Sequence, residues 1–260
     1  MNENTNVSRI TGRIFKGTTE PHAGIAATVG LIVLSTDEVG ADAFTSLMPR
    51  TIRTLVTRTA YDDDEATGEF QIRDSYKAVA DEFPRGDRLD ILAFSCTSAT
   101  VATGKERLLN CLSGARPGIK YTSPGIAGHK ALHHIGARRV ALLTPYGVNT
   151  HKAFLPFFHL DGFEVVSDGT FNKDTDEEIG ELTRTSLFDA AHELVEGQSA
   201  DALFVSCTAT PIVPHIEELE RELKIPVISS SQAMAWDVLR MVGYNQSIEG
   251  YGELMRLSGV

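Results

Sequence analysis

Short apolar runs recur along the chain, each followed by a longer stretch in which polar and apolar positions mix. "TVGLIVLS" (28–35), "TIRTLVTR" (51–58), "LDILAFS" (89–95) and "GIKYTS" (118–123) occupy the first half. "RRVALLT" (138–144), "GFEVVSDG" (162–169), "DALFVS" (201–206) and "IPVISS" (225–230) occupy the second. Their length and strand-forming composition predict eight β-strands. Between them, stretches such as "FQIRDSYKAVADEF" (70–83) and "LTRTSLFDAAHELVEG" (182–197) carry apolar residues at helical spacing. Eight β-then-α units point to parallel sheets covered by helices.

The two halves repeat one another. "DILAFSCTSAT" (90–100) and "DALFVSCTATP" (201–211) both run from an Asp through an apolar strand to Ser-Cys-Thr, 111 positions apart. At that same offset Val29-Gly30-Leu31-Ile32 falls on Val140-Ala141-Leu142-Leu143. Beyond the cysteines the offset becomes 107, matching "TSPGIAGHKALHHIG" (122–136) to "SSSQAMAWDVLRMVG" (229–243). This is duplication of a four-strand α/β unit with one loop shortened, not a short solenoid repeat. Periodicity alone leaves open a single closed barrel or two open lobes facing each other. In both, the strand ends carry the site.

Duplication puts Cys96 and Cys207 in equivalent places, each after a strand and before a predicted helix. A helix N-terminus lowers a thiol pKa and offers N–H groups to an anion. The Ser and Thr hydroxyls of the motif add donors for a carboxylate. Two cysteines on opposite sides of one carbon can serve as base and acid, with no metal or organic cofactor. The competing reading makes both small buried residues at strand ends. Cys111, in the helix-like "RLLNCLSG", has no counterpart in the repeat and reads as core.

Composition narrows the function. The 260 residues carry a formal net charge of −11, which disfavours nucleic acid and anionic membranes as partners. No apolar run reaches the roughly 20 residues of a membrane span. The N-terminal 1–27 lacks a signal-peptide core and reads as a polar extension. Three cysteines without C-x-x-C suit a reducing compartment, and a cytoplasmic location is expected. Neither G-x-G-x-x-G nor a P-loop is present. His129 and His133 are spaced i, i+4 but lack further ligands, so a surface or helix-end role is expected. "YDDDEATGE" (61–69) lacks calcium-loop spacing and reads as a solvated loop, and Trp236 reads as helix packing.

With its paired S-C-T motifs, "GLIVLSTD" (30–37) and "RRVALLTPYGVNTHKAFLPFFHLDGFEVV" (138–166), the chain resembles the aspartate/glutamate racemase superfamily over residues 28–250. Its nearest branch is that of maleate isomerases, arylmalonate decarboxylases and ectoine-utilisation proteins. The resemblance implies two α/β lobes, each a four-stranded parallel sheet flanked by helices, with the active site between them. The first lobe takes 28–124 with the C-terminal segment from about 231–260, and the second takes 125–230. It implies that Cys96 and Cys207 are catalytic and that Tyr146 lines the pocket. Ser35, Ser95, Thr97, Ser98, Thr208 and Ala209 are the remaining candidates around the substrate carboxylate. Arylmalonate decarboxylases have glycine at the first cysteine position, whereas both cysteines are kept here, which favours isomerisation over one-cysteine decarboxylation.

Two departures bear on substrate. Asp37 and Asp176 stand where maleate isomerases resemble one another in having asparagine. An ionised carboxylate repels an anion and cannot donate as an amide does. The change favours a substrate with one carboxylate and a cationic or N–H-bearing part, such as an ectoine-related or amino-acid-like compound. The structural alternative is that both aspartates cap helices. The expectation is therefore a cofactor-independent racemase or isomerase, forming a homodimer or higher homo-oligomer and binding no metal. Its rivals are maleate-type cis–trans isomerisation through a covalent cysteine adduct, and a small-carboxylate-binding protein without turnover.

Overall fold

The computed structural model describes residues 12–20, 24–60, 75–85 and 89–257. The acidic run 61–69 lies outside them. The first half is β1 (Ala27–Leu34), α1 (Gly40–Ser46), β2 (Ile52–Thr59), α2 (Ser75–Asp81), β3 (Ile91–Ser95), α3 (Thr97–Thr103), α4 (Lys105–Ala115), β4 (Lys120–Thr122) and α5 (Pro124–His134). The second half is β5 (Arg139–Tyr146), α6 (Val148–Leu160), β6 (Glu164–Lys173), α7 (Asp176–Gly180), α8 (Arg184–Val195), β7 (Ala202–Val205), a 3₁₀ turn (Val213–His215), α9 (Ile216–Leu223), β8 (Val227–Ser229) and α10 (Ser230–Met241). A last short helix, α11 (Glu253–Arg256), follows.

Every strand pairing is parallel, and the strands divide into two sheets ordered β2-β1-β3-β4 and β6-β5-β7-β8. Two separate sheets with the same order establish the duplicated two-lobe architecture and exclude a closed barrel. The central strands are apolar on both faces because helices cover both. Along β1, Val29, Leu31 and Val33 enter one core cluster, while Ile32 and Leu34 enter the other with α2 and α4 residues.

The helix that follows the fourth strand of each half ties the lobes together. From the second half, α10 packs on β3, β4 and α1, while α5 packs on α10 and β8. Gly128 allows α5 to lie close on the second sheet, since a Cβ there would sit 2.6 Å from the Phe204 ring. A capping box between Ser229 and Gln232 starts α10. Residues 12–20 are exposed and have no regular secondary structure. Among the described residues no helix is long and apolar enough to cross a membrane.

Candidate active site

The carboxyl ends of β1, β3, β5 and β7 meet between the lobes around a cleft of about 610 Å³. Cys96 and Cys207, one from each lobe, both line it, as do Asp37, Thr97, Ser98, Tyr146, Asp176 and Thr208. Three other candidates do not. Ser35 is exposed outside the cleft lining, whereas Ser95 and Ala209 are fully buried behind it.

The two cysteines have different backbones despite their shared motif. Cys96 is extended, with φ −150°, and N-caps α3; its Sγ accepts from the Ala99 N–H at 3.4 Å and lies 3.4 Å from Ser98 Oγ. Cys207 has φ +77°, a left-handed conformation that costs a non-glycine residue on the order of 1 kcal/mol. No helix follows it directly. Pro211 disfavours helical angles at Thr210, and the next helical turn starts only at Val213–His215, with Pro214 in its first turn where a missing N–H costs nothing. The expected helix N-terminus thus exists at Cys96 only.

The expected drop in thiol pKa is also reversed. Burial pushes Cys96 up to about 12, against hydrogen bonds from Ser98 and the Ala99 N–H that pull it down. Burial likewise raises Cys207, and the charges of Asp176 and Asp37 raise it further, while the Ala209 N–H and the Tyr146 phenol lower it. Tyr146 is itself raised, first by burial and then by the two cysteines. Burial therefore favours the protonated thiol at both positions.

The motif threonines bind the lobes to one another. Thr97 Oγ1 donates to Ser230 Oγ at 2.8 Å, at the start of α10. Thr208 Oγ1 donates to Asp37 Oδ2 at 2.8 Å and approaches Ser95 O at 3.3 Å. These hydroxyl protons are already engaged, which leaves backbone N–H groups as the motif's donors toward an anion. Asp37 acts as a cap: its Oδ1 accepts from the N–H groups of Val39 at 3.0 Å and Gly40 at 2.7 Å. Asp176 opens α7 and accepts from Thr36 Oγ1 at 2.5 Å, a bond from one lobe to the other at the cleft mouth.

Sequence reasoning missed much of that mouth. Thr36, Glu38, Thr150, Lys173, Asp174 and Glu177 also line the cleft, so among the described residues its walls hold five carboxylates and one lysine. The signal was the run "NKDTDEE" (172–178), which carries neither strand nor helix period. Outside the cleft, His129 is buried rather than at the surface. It sits 2.5 Å from Asp161 Oδ2 and 2.7 Å from Lys105 Nζ, amid the Phe157, Phe158 and Phe163 rings. Burial, with the Lys105 charge, lowers its pKa to about 4. His133 is exposed at the end of α5, and Trp236 is buried in α10. Cys111 is half-buried in α4, not fully in the core.

The sequence profile of the arylmalonate decarboxylase family matches residues 107–255, more than half of the chain. The chain belongs to this family. Among curated members it is 30% identical over 128 residues to a maleate isomerase of Nocardia farcinica, a match covering 49% of this chain and 51% of that one. The chain thus spans about half the length of that relative. It is 25% identical over 179 residues to a maleate isomerase of Geobacillus stearothermophilus, covering 65% and 70% of the two chains. A Nocardia farcinica maleate cis-trans isomerase, a serine-for-cysteine variant with a covalently bound succinylcysteine intermediate, superposes with a TM-score of 0.76. That match covers 88% of this chain and 98% of the other at 22% identity, a likeness of fold. Within this family the chain has a cysteine from each lobe in the cleft and an acidic cleft mouth.

Proposed function

We propose that this chain is a cofactor-independent isomerase that moves a proton on a small carboxylate with Cys96 and Cys207. One cysteine, as its thiolate, takes the proton α to the carboxylate while the other, as its thiol on the opposite face, supplies one. The enzyme finishes with the two thiols' protonation states exchanged, and no net proton is consumed. The substrate carboxylate lies at the N–H groups that open α3, with Tyr146 beside the second cysteine. The carrying observation is one cleft with a cysteine from each lobe and five carboxylates against one lysine on its walls. That charge favours a substrate whose other end is cationic or N–H-bearing, an ectoine-related or amino-acid-like compound, over a dianion.

A second reading is favoured by the kinship with maleate isomerases. There one thiolate adds to a carbon–carbon double bond, the resulting single bond rotates, and the carbon–sulfur bond breaks to return the thiolate and the trans alkene. Proton NMR of a carboxylate panel in deuterated water separates the two. Deuterium entering at a Cα of an amino-acid-like or amidine acid supports proton transfer. Efficient conversion of maleate without exchange of any such acid overturns it in favour of the second reading.

A further inference from the structure

Thr144, His151 and Asp168 form a chain of hydrogen bonds next to the cleft, running from the buried Thr144 and His151 to Asp168 at the surface. Thr144 Oγ1 lies 2.9 Å from His151 Nδ1, and His151 Nε2 lies 2.7 Å from Asp168 Oδ1. A carboxylate only accepts, so Nε2 carries a hydrogen, and Nδ1 shares the second bond with the Thr144 hydroxyl. The order of groups is that of a hydrolase triad, but Thr144 is fully buried and no substrate reaches it.

The chain joins β5, α6 and β6. Thr144 and Tyr146 are two apart on β5 and therefore share one side of the strand. His151 and Phe154 are three apart on α6 and share one face of the helix. The two pairs meet: Thr144 bonds His151, and the Tyr146 ring stacks on Phe154 with centroids 5.3 Å apart. Beyond this contact the Tyr146 hydroxyl reaches Ser206 Oγ, of the residue before Cys207, at 3.2 Å, and Tyr146 and Cys207 line the cleft together. From β6, Thr170 Oγ1 donates to the Tyr146 carbonyl, and Asn172 Oδ1 accepts from the Val148 N–H at 3.2 Å. Among the described residues the first lobe has no counterpart. At the duplication offset of 111, Thr144, Tyr146, His151, Phe154 and Asp168 fall on Val33, Ser35, Gly40, Ala43 and Thr57. The anchor is present only where a tyrosine overhangs the cleft.

We propose that His151 is a positioning residue for Tyr146: held between Thr144 and Asp168, it sets α6 against β5 so that Phe154 seats the Tyr146 ring and aims its phenol at Cys207. The phenol donates to the Cys207 thiolate, so losing its aim makes that thiolate harder to form. Alkylation by iodoacetamide at one mildly alkaline pH, read at each cysteine by peptide mass spectrometry, tests this apart from any turnover. His151→Leu is expected to slow Cys207 about threefold to tenfold, the worth of one such hydrogen bond, and to leave Cys96 and Cys111 within about twofold. Tyr146→Phe is expected to slow Cys207 to the same extent, and the double variant no further. Asp168→Asn keeps an acceptor oxygen for Nε2 and is expected to stay near the parent rate. Thr144→Val, which removes only the hydroxyl, covers the case in which His151→Leu does not fold and is expected to slow Cys207 alone. The proposal is overturned if His151→Leu or Thr144→Val leaves Cys207 unchanged or accelerates it. It is equally overturned if all three cysteines shift together, or if the effects of His151→Leu and Tyr146→Phe add.

Discussion

Burial decides the resting state of both cleft thiols, and two aspartates reinforce it. Because Cys96 is pushed up to about 12 from an ordinary 9.0, its thiolate fraction rises about tenfold per pH unit across the whole neutral and mildly alkaline range. Its alkylation rate is expected to climb without levelling through that range, and a plateau near 9 in a pH–rate profile would contradict the burial argument. Asp176 raises both thiols, standing directly after burial among the causes at Cys207 but behind two hydrogen bonds at Cys96. Asp176→Asn should therefore speed alkylation of both, and of Cys207 the more. Turnover follows the same residues. Either Cys96→Ser or Cys207→Ser is expected to abolish it, because each thiol serves one face of the substrate. Cys111→Ser, half-buried on α4 away from the cleft, should leave it within about twofold. Steady-state kinetics on the three variants check this, and full activity in either of the first two would remove the two-cysteine mechanism.

At the scale of elements, strands were the legible part. Runs such as "LDILAFS" and "DALFVS" are apolar on both faces and end at turns, and they became β3 and β7 within two residues of their expected limits. The duplication was legible too, because it rests on strand register and on the motif that ends each strand. The segments after the motifs were not. The repeat implied a helix after Cys207 as after Cys96, but Pro211 overrides it, and a local proline effect outweighs a distant sequence match. Around the β6–α7 junction Asp176 was legible, but Lys173, Asp174 and Glu177 were not, because a strand end, two linking residues and one helical turn are too short to show a period. Asp37 was visible, but its partners were not, since Thr208 is 171 positions away. That contact depends on one glycine. A Cβ on Gly40 would lie 2.3 Å from Asp37 Oδ2 and 3.1 Å from Thr208 Cβ. Gly40→Ala is therefore expected to break the cap and the lobe-to-lobe bond, costing about 1–3 kcal/mol in thermal or denaturant unfolding. Gly114, inside α4 with nothing near its missing Cβ, is the control. Gly114→Ala should stabilise by about 0.5–1 kcal/mol. Equal effects of the two would show that crowding at Gly40 does not matter.

At the scale of the whole molecule, the net charge of −11 and the acidic cleft mouth act in the same direction. Long-range repulsion slows the approach of any dianion, and the mouth opposes its binding once it arrives. Not all five wall carboxylates contribute alike. Asp37 is 1% exposed and spends both oxygens on Val39, Gly40 and Thr208, so it is part of the frame. Asp174 and Glu177 are exposed and Asp176 is half-buried, all on the loop and first turn that close one side of the cleft. Lys173, the one cleft lysine, leans toward Glu178 at 3.7 Å. A unit charge about 8 Å from another in a partly solvated site is worth roughly 2 kcal/mol before salt screening. If half of that survives, each carboxylate changes the affinity of a charged group about fivefold. Asp176→Asn combined with Glu177→Gln should thus weaken binding of a zwitterionic or amidinium acid and strengthen that of a maleate-like dianion, each by about tenfold or more. Equilibrium binding or KM values for one ligand of each kind, at low and at high salt, test the point. The two ligands should move in opposite directions, and the gap should narrow as salt is raised. Parallel movement of both would mean that the mouth acts by shape and not by charge, and the preference for a nitrogen-bearing substrate would lose its support.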